Sequence, residues 1–314
     1  MVLITGASGF VGGRLLTYLH DLHIPIRILV RNDRVGAYPN DIQIYQGDIL
    51  DINSVVEAME GIEIIYHCAA MISYQPSDYD FMYKTNVEGT SNIVNAALYC
   101  GVKKIVHVSS IAALGARPGN HHINEEAIWD AGYKQTRYGI SKMMAEHEIH
   151  RGMAEGLEAC IVNPGVILGK NAPEDKSPRR ILSMLKKGLA YYPTGSNGFV
   201  DVEDVVKSIY LLGKQHHNGE RYIVVAENLT LYDYLRINAE LLGAKVPRFA
   251  IKRWMIYLAI FLDKILAFFT NRKRLLSYEN MYLAQQHFYY DNSKIKQAIG
   301  IEFRTVRESL QEVI

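Results

Sequence analysis

The sequence predicts an α/β fold, a doubly wound parallel sheet with a smaller, mostly C-terminal α/β part. Two observations carry that prediction. Short apolar runs bounded by turn residues alternate with helix-period segments through the first half of the chain, and the first run leads directly into a glycine-rich stretch, TGASGFVGG at 5–13. Such alternation means βαβ units, because a strand buried on both faces reads as a continuous apolar run and the crossover to a parallel neighbour is usually a helix. At 314 residues the chain has room for one large domain or for a large and a small one.

In order, VLIT (2–5) is the first strand and FVGGRLLTYLHDL (10–22) the first helix; IRILV (26–30) is the second strand, DINSVVEAME (51–60) a helix and IEIIYHCAA (62–70) a strand. NVEGTSNIVNAALYCG (86–101) is a helix that stops on Gly101, and KKIVHVSS (103–110) is a buried strand. After EACIVNPGVIL (158–168) the rhythm breaks into GKNAPEDKSPRR, rich in proline and charge. That break places a soft domain boundary at 168. Residues 1–168 then form a nucleotide-binding domain, to whose sheet RYIVVA (221–226) returns, and 169–314 form most of a substrate-binding domain. Connections between parallel strands should be right-handed.

The glycine-rich stretch explains what such a sheet is for. Gly6, Gly9 and Gly12 stand where the backbone must turn sharply, approach a pyrophosphate and pack close to the sheet. The helix that follows points its amides at the phosphates, which adds Ser8, Phe10 and Val11 to the expected cofactor contacts. The second strand then ends in RILVRNDR (27–34), and the place normally kept for an acid holds Arg31. An acid there accepts hydrogen bonds from the ribose 2′-hydroxyl, whereas an arginine suits a 2′-phosphate. The expected cofactor is NADP, with Arg14 and Arg34 as helpers; the alternative has Arg31 solvating the strand end and Asp33 taking the ribose.

At the other end of the site, KKIVHVSS delivers Ser109 and Ser110 to the carboxyl end of a strand, where open α/β sheets bind ligands. Further on, Tyr138-Gly-Ile-Ser-Lys142 sets a phenol and an ammonium one turn apart on one helix face. A free phenol titrates near pH 10, so making it useful near neutrality takes about three units of preferential stabilisation of the phenolate. A lysine and an oxidised nicotinamide can supply that jointly.

The glycine loop spaced G-x-x-G-x-x-G, the serine strand and the Y-x-x-x-K pair together resemble the extended short-chain dehydrogenase/reductases, over nearly the whole chain, including FVDVEDVVKSIYLL, ENLTLYDYL and DNSKIKQAIGIEFRTVRESL. The resemblance implies that Tyr138 is the general acid/base, that Lys142 orients the cofactor and lowers the tyrosine pKa, and that one serine holds the substrate oxygen. Counting back from Gly115 in SSIAALG selects Ser110. It further implies cofactor contacts from Asp48 in QGDI, on the adenine side, and from Ile49, Ala69, Ala70, Ser109, Pro164 and Val166. Asn86 in KTNVEGT matches another family motif on the cofactor side, although an N-cap explains it equally well on local physics. In CIVNPGVILG, Cys160 and Pro164-Gly165 replace the arginine and the ending found in sugar-nucleotide epimerases and dehydratases. The stretch is more similar to dihydroflavonol reductases and 3β-hydroxysteroid dehydrogenases. The implied activity is an NADP-dependent oxidoreductase that interconverts a carbonyl and a secondary alcohol on a small or lipid-like substrate. A sugar-nucleotide epimerase or dehydratase and a non-catalytic NADPH sensor stay as alternatives.

Composition narrows the classes further. Lys+Arg 34 against Asp+Glu 33 gives no electrostatic reason to expect a nucleic-acid partner. Cys68, Cys100 and Cys160 are odd in number and widely spaced, which argues for free thiols in a reducing compartment, and the chain opens on an apolar strand rather than an address; a cytoplasmic location is expected. His147 and His150 beside Glu146 read as a solvated helix stripe, and no metal is expected. Tyr133 lacks a lysine four residues on and stays outside the catalytic set. The stretch WMIYLAIFLDKILAFF (254–269) is interrupted by Asp263 and Lys264 and falls short of the roughly 20 apolar residues a bilayer span takes. Flanked by Lys252, Arg253 and NRKR, it leaves three coverings open: the protein itself, a membrane surface, or an apolar substrate. A homodimer is also left open.

Overall fold

The computed structural model describes residues 1–31, 38–115, 121–130, 135–172, 178–270 and 278–313. Asp33, Arg34 and Tyr133, and the NRKR stretch at 271–274, lie outside the described residues. The chain begins β1 (Val2–Thr5), α1 (Phe10–Asp21), β2 (Ile26–Val30), β3 (Gln43–Gln46), α2 (Ile52–Ala58) and β4 (Ile64–His67). It continues through α3 (Tyr79–Tyr83), α4 (Gly89–Cys100), β5 (Lys104–Val108), β6 (His122–Ile123), α5 (Arg137–Ala154), β7 (Glu158–Pro164) and β8 (Val166–Leu168). The remainder is α6 (Pro178–Lys186), β9 (Tyr191–Tyr192), β10 (Ser196–Asp201), α7 (Val202–Lys214), β11 (Arg221–Val224), β12 (Glu227–Thr230), α8 (Leu231–Leu242), β13 (Phe249–Ala250), α9 (Arg253–Thr270), α10 (Tyr278–Leu283), β14 (Tyr289–Tyr290), α11 (Ser293–Ile299) and α12 (Val306–Gln311).

Seven strands form one parallel sheet in the order β3-β2-β1-β4-β5-β7-β11. The period-two alternation of strands divides its side chains between two cores. Ile4, Val106, Cys160 and Val162 pack with Leu15, Leu19, Val205 and Ile209 of α1 and α7 on one face. Leu3, Ile105, Ala159 and Ile161 pack with Val55, Ile93, Val94 and Ile149 of α2, α4 and α5 on the other. β1 and β5 are buried at every position, which is why they read as unbroken apolar runs in the sequence. The chain reverses its direction of travel between β1 and β4, and the carboxyl ends of those two strands make the crevice where such sheets take ligands.

A second sheet, β12-β10-β8, lies beside the first. It is packed by Leu168, Phe199, Tyr234, Val306 and Leu310, with the Phe199 and Tyr234 rings stacked 4.4 Å apart. Two-residue pairings, β9 with β13 and β6 with β14, tie distant loops together.

One helix differs from expectation. A start at residue 86 with Asn86 as cap is not observed: helix begins at Tyr79 and passes through a π turn, Lys84–Glu88, into α4 without a break. The wider turn carries Asn86 inward, where its side chain meets Met71 and Ser141 instead of the helix's leading amides. Gly101, at φ 66°, ends α4 in the left-handed conformation as the sequence suggests.

Candidate active site

The loop between β1 and α1 is built around contacts that only glycine permits. Gly6 sits at φ +73°, and a Cβ on it would stand 2.6 Å from the Ala69 nitrogen, at the end of β4. A Cβ on Gly12 would run into the Gly6 carbonyl, so the first turn of α1 can close on the loop only without a side chain there. Gly9 caps α1 in an extended conformation; no side chain caps the helix and its first turn holds no acid. The leading amides of Phe10, Val11 and Gly12 therefore remain as donors at a helix N-terminus, next to exposed Ser8. This cradle fits a dinucleotide's pyrophosphate, both in the space that the missing Cβ atoms leave and in the polarity of its donors.

The other expected cofactor positions ring this loop. Arg31 is exposed at the end of β2, and its carbonyl receives a hydrogen bond from Gln46 Nε2 at 3.4 Å. Asp48 accepts the Leu50 amide on Oδ1 at 3.0 Å. Ile49 closes over Gly89, and Asn92 Nδ2 donates to its carbonyl at 2.9 Å. Ala69 is half-buried and Ala70 exposed, directly after β4, while buried Pro164 ends β7 and Val166, 38% exposed, opens β8. Arg14, which could share the 2′-phosphate, pairs with Glu203 across the contact of α1 with α7. Asn86 is engaged by the protein: Met71 N–H donates to its Oδ1 at 2.7 Å while Nδ2 donates to Met71 O and Ser141 Oγ. It pins the loop after β4 against α5.

Tyr138 lies in the first turn of α5, which Thr136 starts by accepting the Gly139 amide at 2.9 Å. Ser110, just past the end of β5, stands beside the Tyr138 phenol, and the Tyr74 ring approaches edge-on at 6.1 Å between centroids. Burial drives the phenol above its ordinary pKa; Tyr74 adds to the rise and the nearby Ser110 hydroxyl opposes it. Lys142, one turn on and 1% exposed, donates from Nζ to Val108 O at 2.9 Å and stands 3.5 Å from His107 Nε2. Burial brings Lys142 down to about 8, with Glu146 and Cys68 holding it up. The Lys142 ammonium is held by the Val108 carbonyl of β5, and burial is the largest influence on the phenol. A neutral, buried phenol beside a serine hydroxyl is a proton donor in waiting.

Ser109 faces the opposite way from Ser110, as neighbours on an extended chain must. Its hydroxyl donates to Glu146. Glu146 itself was legible only as part of a solvated stripe, and the structure corrects this: it is 2% exposed, while His147 and His150 beside it are exposed. Its carboxylate also accepts from Asn163 Nδ2 at 2.6 Å and from Arg221 Nη1 at 3.3 Å, tying α5 to β5, β7 and β11 directly under the Tyr138–Lys142 face. The missed signal was spacing, since Glu146 follows Lys142 by one more helical turn. Glu146→Gln should lower stability by about 1.5 kcal/mol, the low end for a hydrogen bond to a charged group, because the amide oxygen still accepts while the charge facing Arg221 is gone. An unchanged urea midpoint would show that the network is ornamental to the fold.

Two buried histidines line the floor. His67 Nδ1 lies 2.7 Å from Thr5 Oγ1 and Nε2 2.9 Å from Thr90 Oγ1, whose own proton goes to Asn86 O at 2.6 Å. The Thr90 oxygen must therefore accept from Nε2–H, leaving Nδ1 to accept from Thr5. Burial, with Lys142 nearby, holds His67 at about 3 and His107 well below its ordinary value, so both stay neutral.

Comparison with known proteins bears on the family and the fold. The family model described as NAD dependent epimerase/dehydratase family matches residues 2–226. The chain is 30% identical to sterol demethylase protein B of Methylococcus capsulatus, over 99% of this chain and 96% of that one. It is 29% identical to a putative dihydroflavonol 4-reductase of Synechocystis, over 99% and 92%. Among solved structures it resembles gox2253 at 29% identity and a TM-score of 0.84, covering 100% of this chain and 96% of that one. The dTDP-glucose 4,6-dehydratase DesIV of Streptomyces venezuelae, solved with NAD, shares the fold at 19% identity and a TM-score of 0.78, over 99% and 95%.

Proposed function

The chain belongs to the NAD-dependent epimerase/dehydratase family, and from that premise we propose that it is an NADP(H)-dependent oxidoreductase interconverting a carbonyl and a secondary alcohol on an apolar, small or lipid-like substrate. The observation that carries the reading is the buried Tyr138 phenol beside Ser110, with the buried Lys142 ammonium one turn behind it. When bound, the reduced dinucleotide supplies a hydride from C4 of its nicotinamide; the protein supplies orientation and acid. Ser110 holds the carbonyl oxygen of the substrate beside the phenol. Tyr138, kept neutral by burial, gives its proton to that oxygen as the carbonyl carbon is reduced. Lys142, still largely an ammonium at neutral pH when it titrates near about 8, favours the phenolate left behind. Gly6, Gly9 and Gly12 with the amides of Phe10 and Val11 would hold the pyrophosphate, and Arg31 the 2′-phosphate.

Substrate polarity rests on two supports. The relatives that match across nearly the whole chain carry the names of a sterol demethylase component and a dihydroflavonol reductase. Within the chain, Cys160 and Pro164-Gly165 replace the arginine and ending that the sugar-nucleotide enzymes show. We also assign it to a reducing, cytoplasmic setting, on the odd number and wide spacing of Cys68, Cys100 and Cys160.

A homologous series of alkyl ketones tests the assignment. With NADPH as donor, kcat/KM should rise nearly fourfold for each added methylene that is buried, the equivalent of about 0.8 kcal/mol. A flat or falling series, or faster turnover of nucleotide-sugars than of any ketone, would make the substrate class wrong.

A further inference from the structure

Helix α9 has its polarity inside out. Its buried face is Ile256, Ala267 and an acid, Asp263, at 7% exposure. Its outward face carries Trp254, Leu258, Phe261, Leu262, Leu266 and Phe269, with Phe261 at 59% and Phe269 at 78% exposure. Apart from the adjacent pair Phe261 and Leu262, successive positions fall three or four apart, so they form one continuous stripe along an 18-residue helix, about 27 Å long. A soluble surface helix would present the acid and bury the aromatics. Scattered exposed apolar residues need no explanation, but a contiguous stripe of this size marks a contact.

Charge says what the contact is. Lys252, Arg253 and Lys264, all exposed, flank the stripe, and the only acid of the helix points inward. The sequence beyond it adds Arg272, Lys273 and Arg274. A second copy of the chain packed on the same stripe by two-fold symmetry would bring two basic rims together, which is unfavourable. A small-molecule substrate is far shorter than the stripe. An anionic lipid surface meets both requirements, taking the aromatics and leucines into the headgroup and acyl boundary and pairing the rim with lipid phosphates. Among the described residues no helix is long and apolar enough to cross a membrane, so α9 would lie in the plane of the surface.

We infer that α9 is a membrane-docking helix that seats the enzyme flat on anionic lipid. This goes beyond the proposed activity and does not depend on it, because the assay reads binding alone. Flotation of the full chain with phosphatidylglycerol-containing vesicles and with pure phosphatidylcholine vesicles tests it. Binding to the anionic vesicles should be tighter by about a hundredfold, corresponding to about fivefold for each of three basic residues. It should weaken at high salt, as screened contacts do. Trp254 fluorescence should shift to the blue as the side chain leaves water.

Two variants separate the contributions: Lys252→Gln with Arg253→Gln and Lys264→Gln should weaken the preference for anionic lipid by about a hundredfold, and Phe261→Glu with Phe269→Glu should abolish binding to both vesicle types. All five positions are exposed, so unchanged thermal unfolding is expected and serves as the folding control. Absence of wild-type binding, equal binding to both lipids, or binding indifferent to either variant overturns the inference. So does a dimer in free solution that Phe261→Glu with Phe269→Glu dissociates, which would make the stripe a contact between copies.

Discussion

Tyr138→Phe is expected to lower turnover by about a hundredfold or more while NADPH still binds with wild-type affinity. The substitution removes one hydroxyl from a side chain that is 7% exposed, leaving the ring that fills the space between Ser110 and Tyr74. What disappears is the proton donor. Water cannot replace it readily, because the phenol's surroundings are dry enough to hold its pKa above the ordinary value. The sign of the pH dependence follows. Carbonyl reduction needs the protonated phenol, so the wild-type rate should fall as pH rises through the Tyr138 pKa, and that alkaline limb should be missing from the residual activity of the variant. Steady-state NADPH oxidation across pH, together with a fluorescence titration of NADPH, measures both halves. Undiminished turnover in Tyr138→Phe would take this residue out of the chemistry.

Arg31→Asp is expected to cost about tenfold to a hundredfold in NADPH affinity and to narrow or reverse the preference over NADH. A charge-assisted contact between guanidinium and phosphate is worth about 1.5–3 kcal/mol. An acid in that place adds repulsion toward a 2′-phosphate and offers the ribose hydroxyl an acceptor. The burden falls on Arg31 more heavily than the sequence suggests, because Arg14 is occupied by Glu203. Dissociation constants for the two dinucleotides, in wild type and variant, decide the matter. Equal constants in the wild type would mean that Arg31 merely solvates the end of β2.

Features of this fold that are local in the chain were the ones open to reading. β1 and β5 are buried on both faces and so appear as apolar runs; Gly6 and Gly12 occupy positions where a Cβ would strike backbone, and no other residue type could be written there. Tyr138 and Lys142 share one helix, so their spacing states their geometry. What escaped reading depends on partners distant in sequence. The carboxylate of Glu146 is buried because Ser109, Asn163 and Arg221 converge on it from three strands or their ends; its spacing from Lys142 gives the helix face but not these partners. Asn86 was ambiguous for the same reason, since its partners Met71 and Ser141 lie 15 and 55 residues away in the chain. The pairing of Tyr289–Tyr290 with His122–Ile123 joins segments too short to carry any periodicity. For α9 the composition was visible but its orientation was not, and the orientation is what sets the aromatics outside and Asp263 inside.

The central claim is that this site moves a hydride between cofactor and an apolar carbonyl while Tyr138 supplies the proton. NADPH carrying deuterium at C4 of the nicotinamide, incubated with the protein and an apolar ketone, tests it most directly. The predicted result is an alcohol with deuterium on its carbinol carbon, formed in step with oxidised cofactor, and lost on changing Tyr138→Phe. The contradicting result is cofactor that stays reduced and keeps its label in the presence of every ketone, while a nucleotide-sugar is converted with no net oxidation of NADPH.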